Sequence, residues 1–509
     1  MTADDLPGPD AARLSPDFAT PRRRWPRFAT GSRAIAGSRD RPSDRVGARP
    51  LGGHVTETLR LAGPISMAHF SNLATTTATL LMFGWTSADA LAAGGLAIRA
   101  AVSTNILCGV VVIAGLMMSE AEGAGDGRAV AESYSRGLVL AGLLSILSFA
   151  WMSAAPSLLL ALGQDPEIVA GTAAVLDIMR WAEPANLIRL GLMRAALPAL
   201  GLASILFVLT PISIAVYVLL GFGLVSGHGG LPEVGWLGIP WAFVLVSWAG
   251  ALVMLAVVHL GPRRRKVPFG IAGVKGLFHV FGRGLPIGMM QAIDNVYYLT
   301  LTLLIGQFGA ATLAAHQIAL NFGTIAWAFA SAFGDAGALR IRYRRGARAM
   351  DDAWRAGNVA STLSILSMTA AALVVAAFPA TFIGLFLDAR LPENASTVAI
   401  ATTLIPFAAG FIFADGLYGA GMGVLRGLDD NRFAMIASAL GYWGVGMPLA
   451  CLFAFWLGYG GVGIWMGIVC GVTLVGSVLL ARFAWQSRHF EAAAPVAAAV
   501  LPGAGGGTS

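Results

Sequence analysis

Two aspartates stand in stretches of the sequence that are otherwise almost entirely apolar. Asp294 lies in GLPIGMMQAIDNVYY, eight residues after Pro286, and Asp415 lies in FAAGFIFADGLYGAGMG. A carboxylate near the centre of a bilayer costs about 2.5–3.5 kcal/mol on insertion scales, so it normally faces a cavity or a polar partner. Such a group can hold a proton, a small cation such as Na⁺, or a cationic ligand. We therefore predict that both aspartates are cation-coupling residues.

The neighbours of each aspartate on the helix surface predict the wall of a site. Residues three or four positions apart share one face of a helix. Methionine and aromatic side chains form adaptable apolar walls, and aromatic faces attract cations. The second half of the chain supplies these predicted cavity residues: Met290, Gln291, Tyr297, Tyr298, Trp327, Tyr418 and Met422. Each aspartate also precedes a tyrosine by three residues, so a carboxylate–hydroxyl pair is available twice.

The first half of the chain supplies three further predicted cavity residues, Asn72, Glu183 and Arg99. Asn72 precedes Asp294 by 222 positions and Glu183 precedes Asp415 by 232, separations that match an internal repeat described below. A structural role remains the alternative for all the acids, since a buried carboxylate can bridge helices through hydrogen bonds. For Glu183 the alternative is an ion pair with a nearby arginine on the same helix.

The composition indicates an all-α polytopic membrane protein. The 509 residues are 56% hydrophobic and 12% charged, whereas a soluble domain has roughly 25% charged residues. Apolar runs of about 20 residues, the length of helix that crosses a bilayer, recur along most of the chain. The three cysteines, Cys108, Cys451 and Cys470, lie in apolar runs without the spacing of a metal site or a disulfide framework.

Apolar runs between glycine, proline and charged breaks predict twelve transmembrane helices. They are expected near 57–83, 90–118, 134–155, 168–192, 202–224, 236–260, 275–305, 311–338, 356–386, 396–424, 432–457 and 461–485. The connections that follow even-numbered spans are basic, as in GPRRRKVPFG and RIRYRRGAR, and those that follow odd-numbered spans contain a single arginine, Arg390. By the positive-inside rule, we expect both termini and the even connections to face the cytoplasm. The expected location is the cell inner (plasma) membrane.

Internal similarity predicts two pseudo-symmetric six-helix bundles. Four pairs of landmarks keep a separation of 222 to 225 residues: Pro64 with Pro286, Leu91 with Leu313, Gly123 with Gly346, and Gly238 with Gly463. An even number of helices per repeat relates the two bundles by an axis along the membrane normal. The predicted domains are a disordered basic tail at 1–56, bundles at 57–260 and 276–486, a basic cytoplasmic linker at 261–275, and a disordered tail at 487–509.

Several of these motifs resemble those of the multidrug and toxic compound extrusion (MATE) family, most closely its bacterial toxin-extrusion branch. They are LAGPI, LAAHQIALNF, GLPI with a carboxylate eight residues after its proline, RRGAR, VLRGLDDNR, YWGVGMPLA and GGVGIWMGI. The resemblance covers roughly 57–486 and is more specific in the second half. It implies twelve helices around a V-shaped cavity, and export of cationic, amphipathic compounds in exchange for H⁺ or Na⁺.

The resemblance also assigns roles to single positions. The family's acid on the seventh helix falls on Asp294, with Asp in place of the more usual Glu, and its acid on the tenth helix falls on Asp415, eleven residues before Arg426. The family's usual aspartate on the first helix is replaced here by Thr79. Coupling is therefore expected to depend on the two acids of the second half.

Other functional classes make different predictions from the same residues. A lipid-linked oligosaccharide flippase would have a similar number of helices and would use cavity cations such as Arg99, Arg180 and Arg189 to bind pyrophosphate. A membrane-embedded enzyme would need acidic clusters or metal motifs in the loops, which the sequence lacks, and a channel would not need the twofold design. We expect a monomeric transporter of small molecules in the lipid bilayer, with no nucleic-acid partner, no enzymatic activity and no cofactor besides the coupling ion.

Overall fold

Twelve helical rods form the structure, a computed structural model that describes residues 51–101, 103–261, 274–387 and 391–500. The rods are α1 (Leu51–Thr86), α2 (Ala88–Ala100 continued by Ser103–Ala124), α3 (Gly127–Ala161), α4 (166–199), α5 (Ser204–Ser226), α6 (Gly238–Leu260), α7 (Val274–Gly306), α8 (Ala310–Gly346), α9 (Met350–Ala377), α10 (Ala395–Leu428), α11 (Asn431–Trp456) and α12 (Gly460–Val500). The all-α class and the number of spans are thereby confirmed. The predicted linker at 261–275 lies mostly outside the described residues.

The ends of several rods differ from the predicted ends. α1 begins at Leu51, inside the segment predicted as a disordered tail, and α12 continues to Val500. The ninth rod ends at Ala377 and a short separate helix, Pro379–Gly384, follows it. The reason is that Phe378 precedes a proline and takes an extended φ of −127°, as the proline ring disfavours helical geometry in the preceding residue.

Eight of the twelve rods in the described part of the chain are long and apolar enough to cross a membrane by length and composition alone. The other four are α1, α4, α7 and α8. α4 is interrupted by a 3₁₀ turn at Arg180–Ala182 and a π-helical stretch at Leu187–Met193. α1, α7 and α8 carry polar residues in their middle turns, Asp294 among them. Asp294 thus lies on one of the less apolar rods, whereas Asp415 lies on α10, one of the eight apolar ones.

The two halves meet through the second helix of each half, α2 and α8. Glycines of α7 let it approach α2 closely, since a Cβ on Gly284 would collide with the carbonyl oxygen of Val110. Close to one end of the molecule α2 and α8 cross: a Cβ on Gly123 would strike Tyr343, and one on Gly346 would strike Glu120. The two glycines are landmarks of the repeat, so this crossing lies on the pseudo-twofold axis. We call this the basic end, because the arginines of RIRYRRGAR lie there.

The apolar cores are arranged differently at the two ends. One core lies within the second half, around Tyr297, Leu404 and Trp465. Another lies within the first half at the end away from the basic end, around Phe83 and Tyr217. A third joins first-half helices to α7 and α8 through residues such as Val111, Ile287, Ala336 and Leu339. The halves therefore share a core towards the basic end and keep separate cores at the opposite end.

Candidate functional site

A tyrosine on the helix of one predicted coupling acid is hydrogen-bonded to the other acid. The hydroxyl of Tyr418 on α10 donates a 2.8 Å hydrogen bond to Oδ2 of Asp294 on α7. Asp415 lies three residues, about one helical turn, before Tyr418 and is 7% exposed. The carboxylate–hydroxyl pair therefore runs between helices, and the pairing of each aspartate with the tyrosine on its own helix is not what forms.

Aromatic rings surround this hydrogen bond. Trp327 of α8 stacks on Tyr418 with ring centroids 5.8 Å apart and planes inclined by 20°. Tyr442 of α11 meets Tyr418 edge-on at 5.8 Å and lies 6.5 Å from Tyr298. We call the two aspartates with Tyr298, Trp327, Tyr418 and Tyr442 the carboxylate–aromatic cluster. Sequence reasoning missed Tyr442, although the YWGVGMP segment that contains it was among the family-like motifs.

The predicted cavity residues of the second half separate into two groups. Met290 and Tyr297 point into the core of the second half, where Tyr297 is fully buried and stacks on Tyr442 at 4.8 Å. Gln291 points towards the first half, since its Oε1 would lie 2.7 Å from a Cβ added to Gly109 of α2. Met422 is half-buried and packs against the second-half core. Tyr298, Trp327 and Tyr418 therefore remain beside the acids, while the others extend away from them.

The predicted cavity residues of the first half lie apart from this cluster and on three different helices. Asn72 and Arg99 are exposed on α1 and α2. Glu183 is 1% exposed on α4 and is hydrogen-bonded to the hydroxyls of Thr104 and Ser148. The expected alternative, an ion pair with an arginine of its own helix, is absent from the bonds of the described residues to Glu183.

The arginines proposed for pyrophosphate binding do not converge either. Arg180 pairs with Asp177 at 3.0 Å and lies over the ring of Phe149. Arg189 donates a 3.4 Å hydrogen bond to Oδ1 of Asn186. With Arg99 exposed on another helix, the three cations lie on separate surfaces of the first half.

Thr79 stands at the position of the first helix where the resemblance implies an acid, and its hydroxyl group is hydrogen-bonded. Its hydroxyl lies 2.7 Å from the hydroxyl of Tyr217 on α5 and donates to the carbonyl of Thr75 at 2.7 Å. A neutral hydrogen-bonded pair thus stands where the family usually has a carboxylate.

Ion pairs close the basic end between the two halves. Arg342 of α8 is fully buried and binds Glu120 of α2 at 3.0 Å and Asp429, beyond α10, at 2.6 Å. Arg283 of α7 also contacts Asp429. Burial acts to raise the pKa of Asp429, but Arg342 and Arg283 outweigh it and hold that pKa below its ordinary value. Glu120 and Arg342 are 222 residues apart, so this salt bridge joins equivalent positions of the two repeats.

A second junction lies deeper between the halves. Asp335 of α8 binds Arg426 of α10 at 2.7 Å and His69 of α1 at 3.3 Å, and Arg194 of α4 lies 4.0 Å away. Arg194 and Arg426 occupy equivalent repeat positions. The sequence placed Arg340 and Arg342 in a connection after a span ending near 338; instead α8 continues to Gly346, because acids from distant parts of the chain neutralise these arginines.

Comparison with known proteins supports this architecture. The profile of the MatE family matches the chain at residues 64–222 and again at 286–452. The two matches begin 222 residues apart, at Pro64 and Pro286, the first landmark pair of the repeat. The probable multidrug resistance protein NorM of Burkholderia pseudomallei is 35% identical over 442 residues, covering 85% of this chain and 93% of the relative. The multidrug resistance protein NorM of Burkholderia vietnamiensis is 34% identical, covering 88% and 98%.

Solved structures share the same fold. The crystal structure of the eukaryotic MATE transporter AtDTX14 superposes with a TM-score of 0.75 at 18% identity, covering 84% of this chain and 95% of that one. An outward-facing multidrug resistance MATE family transporter of the MOP superfamily gives a TM-score of 0.77 at 16% identity, covering 88% and 99%. These likenesses confirm twelve helices in two bundles. The chain is therefore a multi-pass membrane protein that belongs to the MatE family of multidrug efflux transporters, a family of transporters and not of enzymes.

Proposed function

We propose that the chain exports cationic or amphipathic small molecules by secondary active antiport against H⁺ or Na⁺. The observation that carries the proposal is the hydrogen bond from Tyr418 to Asp294, which lies one helical turn from Asp415 and within an aromatic wall. In the described residues the hydrogen-bond partner of Asp294 is the Tyr418 hydroxyl, and its buried Oδ1 has none. These acids meet no guanidinium in the described contacts, unlike Asp335, which pairs with Arg426, so their negative charge is available to a mobile cation.

Exchange of substrate for the coupling ion results when the two compete for the negative charge of these acids. Two neighbouring carboxylates in a site of low polarity do not both remain ionised without a cation, because desolvation and mutual repulsion disfavour two charges together. One proton or one Na⁺ relieves the repulsion, and so does a cationic substrate lying on Trp327 and Tyr418. Because the occupants compete for one site, loading one releases the other, and rocking between two states converts this competition into antiport.

The arrangement of cores supports an outward-open state of the transport cycle. The halves share a core and buried ion pairs towards the basic end and keep separate cores at the other end. We propose that the basic end faces the cytoplasm, as its arginines favour, with both termini on that side and the protein in the inner membrane. The two bundles, near 57–260 and 276–486, would then rock about the α2–α8 crossing as a monomer.

Reconstitution into vesicles tests the proposal. Purified protein is placed in liposomes, and ethidium transport is followed under an imposed proton gradient, an imposed sodium gradient, or neither. We expect saturable ethidium movement that requires one of the two gradients. Gradient-independent, non-saturating flux would overturn antiport, and movement of lipid-linked sugar without movement of ethidium would favour the flippase.

A further inference from the structure

Glu183 lies in a polar site of the first half that has no part in the mechanism above. The Thr104 hydroxyl contacts both carboxylate oxygens at 3.0 and 2.9 Å, and the Ser148 hydroxyl donates to Oε2 at 2.5 Å. The latter distance is typical of a charge-assisted O–H···O⁻ hydrogen bond. Asn186, one turn along α4, provides a further side-chain contact. Helices α2, α3 and α4 thus each contribute a polar group to one buried carboxylate.

Helix α4 is irregular around Glu183. It passes from the 3₁₀ turn Arg180–Ala182, through Pro184, into the π-helical stretch Leu187–Met193. Single π-helical turns occur frequently at functional sites, and coupling-ion sites of transporters form where interrupted helices free backbone groups. The irregularity of α4 is therefore a second indication that the position is a site and not only a helix contact.

The charges around Glu183 leave its own charge without a partner. On α4, Arg180 pairs with Asp177, and Arg189 donates to the neutral amide of Asn186 while its Nε has no hydrogen-bond partner among the described residues. α2 carries Arg99, which is exposed, and Cys108, whose Sγ lies 3.9 Å from the carbonyl oxygen of Asn186. α3 has no ionisable side chain from residue 137 to 161, and the single titratable residue of α6, His259, contacts Tyr134 instead. No cation of the described residues is positioned to neutralise Glu183 permanently.

The repeat adds a functional argument. Glu183 precedes Asp415 by 232 residues, the separation that also relates Arg194 to Arg426. The acid of the tenth helix therefore has a counterpart on the fourth helix, while the usual acid of the first helix is absent at Thr79. Among the described residues of the first half, Glu183 is the one buried carboxylate.

We propose that Glu183 is a second proton-binding site, which loads and releases one proton in each transport cycle. The inference rests on the proposed antiport function and extends it to the first half. A hydronium ion from the open side transfers its proton to a carboxylate oxygen of Glu183, and the proton returns to water when the other side opens. The hydroxyls of Thr104 and Ser148 stabilise the carboxylate between these events. A proton suits the site better than Na⁺, because both hydroxyls already direct their hydrogens at the carboxylate and the site is closely packed.

Infrared difference spectroscopy of the purified protein between acidic and alkaline pH tests the site directly. The carboxylic-acid C=O stretch should contain a component that titrates, that is lost in Glu183→Gln, and that persists in the double variant Asp294→Asn/Asp415→Asn. Glu167→Gln, at an exposed position of the same helix, is the control and should leave the component unchanged. This readout needs no transport, so it can succeed or fail independently of the antiport proposal.

Transport in vesicles provides the second readout. Glu183→Gln should still bind ethidium but exchange one proton fewer per ethidium, measured from the proton gradient that just balances an opposing ethidium gradient. A component that does not titrate, or an unchanged exchange ratio in Glu183→Gln, would overturn the proposal and leave Glu183 a structural bridge. Sodium-dependent loss of the C=O component would also contradict it, because it would make Na⁺ the ligand.

Discussion

The hydrogen bond between Tyr418 and Asp294 gives the sharpest prediction about coupling. Tyr418→Phe removes the hydroxyl that donates to Asp294 at 2.8 Å and keeps the ring that stacks on Trp327. A hydrogen bond to a charged group contributes about 1.5–3 kcal/mol. Without this donor the ionised carboxylate depends more on its cation, so cation affinity should rise by about 10- to 150-fold, at a factor of ten per 1.4 kcal/mol.

The assay is ethidium transport in vesicles at increasing concentrations of H⁺ or Na⁺, and the quantity compared is the concentration of the ion that gives half-maximal transport. Tyr418→Phe should lower that concentration, and turnover should fall because the coupling ion leaves more slowly. Tyr217→Phe is a matched control, since it removes a buried tyrosine hydroxyl that contacts Thr79 in the first half. A half-saturating concentration equal to that of the wild type and of the control would refute the reasoning, and so would a higher value.

Three further predictions follow from other parts of the molecule. Gly346→Ala should force α2 and α8 apart at the basic end and cost about 1–3 kcal/mol of stability as overpacking, seen in thermal unfolding, whereas Gly142→Ala, with open space around its Cβ, should not. Trp327→Ala should weaken ethidium binding by about 2- to 30-fold, the equivalent of 0.5–2 kcal/mol of cation–π attraction, in equilibrium titrations. Burial and the adjacent Arg340 lower the pKa of His54, so the unfolded chain takes up that proton first and stability should fall below about pH 6.5 by up to 1.4 kcal/mol per pH unit. His54→Asn should flatten this fall in unfolding measured across pH, and an equally steep fall would show that other groups cause it.

The fold could be predicted largely from the sequence, because the length of each apolar run is a local property and the internal repeat is visible in the order of the residues. The ends of the rods could not, as α8 shows. Arg340 and Arg342 look like a solvated connection by composition, yet they are buried within a helix. Their neutralising partners include Glu57, Glu120 and Asp429, and a local window of sequence contains none of these. Contacts between repeats, which decide where charge can be buried, are a property of the folded chain.

The acids of the candidate site could be proposed from the sequence, and their surroundings only in part. Helical spacing placed both Tyr298 and Tyr297 on the face of Asp294, but Tyr297 is fully buried in the core of the second half. Neighbouring residues of a helix that lies between a core and a cavity can face either one. The spacing of residues shows which side chains share a face, but it does not show how the helix is rotated about its axis. The hydrogen bond from Tyr418 to Asp294 joins two residues that are 124 positions apart in the sequence, so only the folded structure could reveal it. Glu183 was flagged by the repeat, whereas its hydroxyl partners on α2 and α3 were not.

Displacement of the coupling ion by substrate tests the central claim most directly. Purified protein in detergent is loaded with H⁺ or ²²Na⁺ and titrated with ethidium, and the released ion is measured. The wild type should release its cation in proportion to the ethidium bound, and Asp294→Asn/Asp415→Asn, shown to be folded by thermal unfolding, should not. Undiminished release from the double variant, or simultaneous binding of ethidium and the cation to the wild type, would contradict exchange at these two acids.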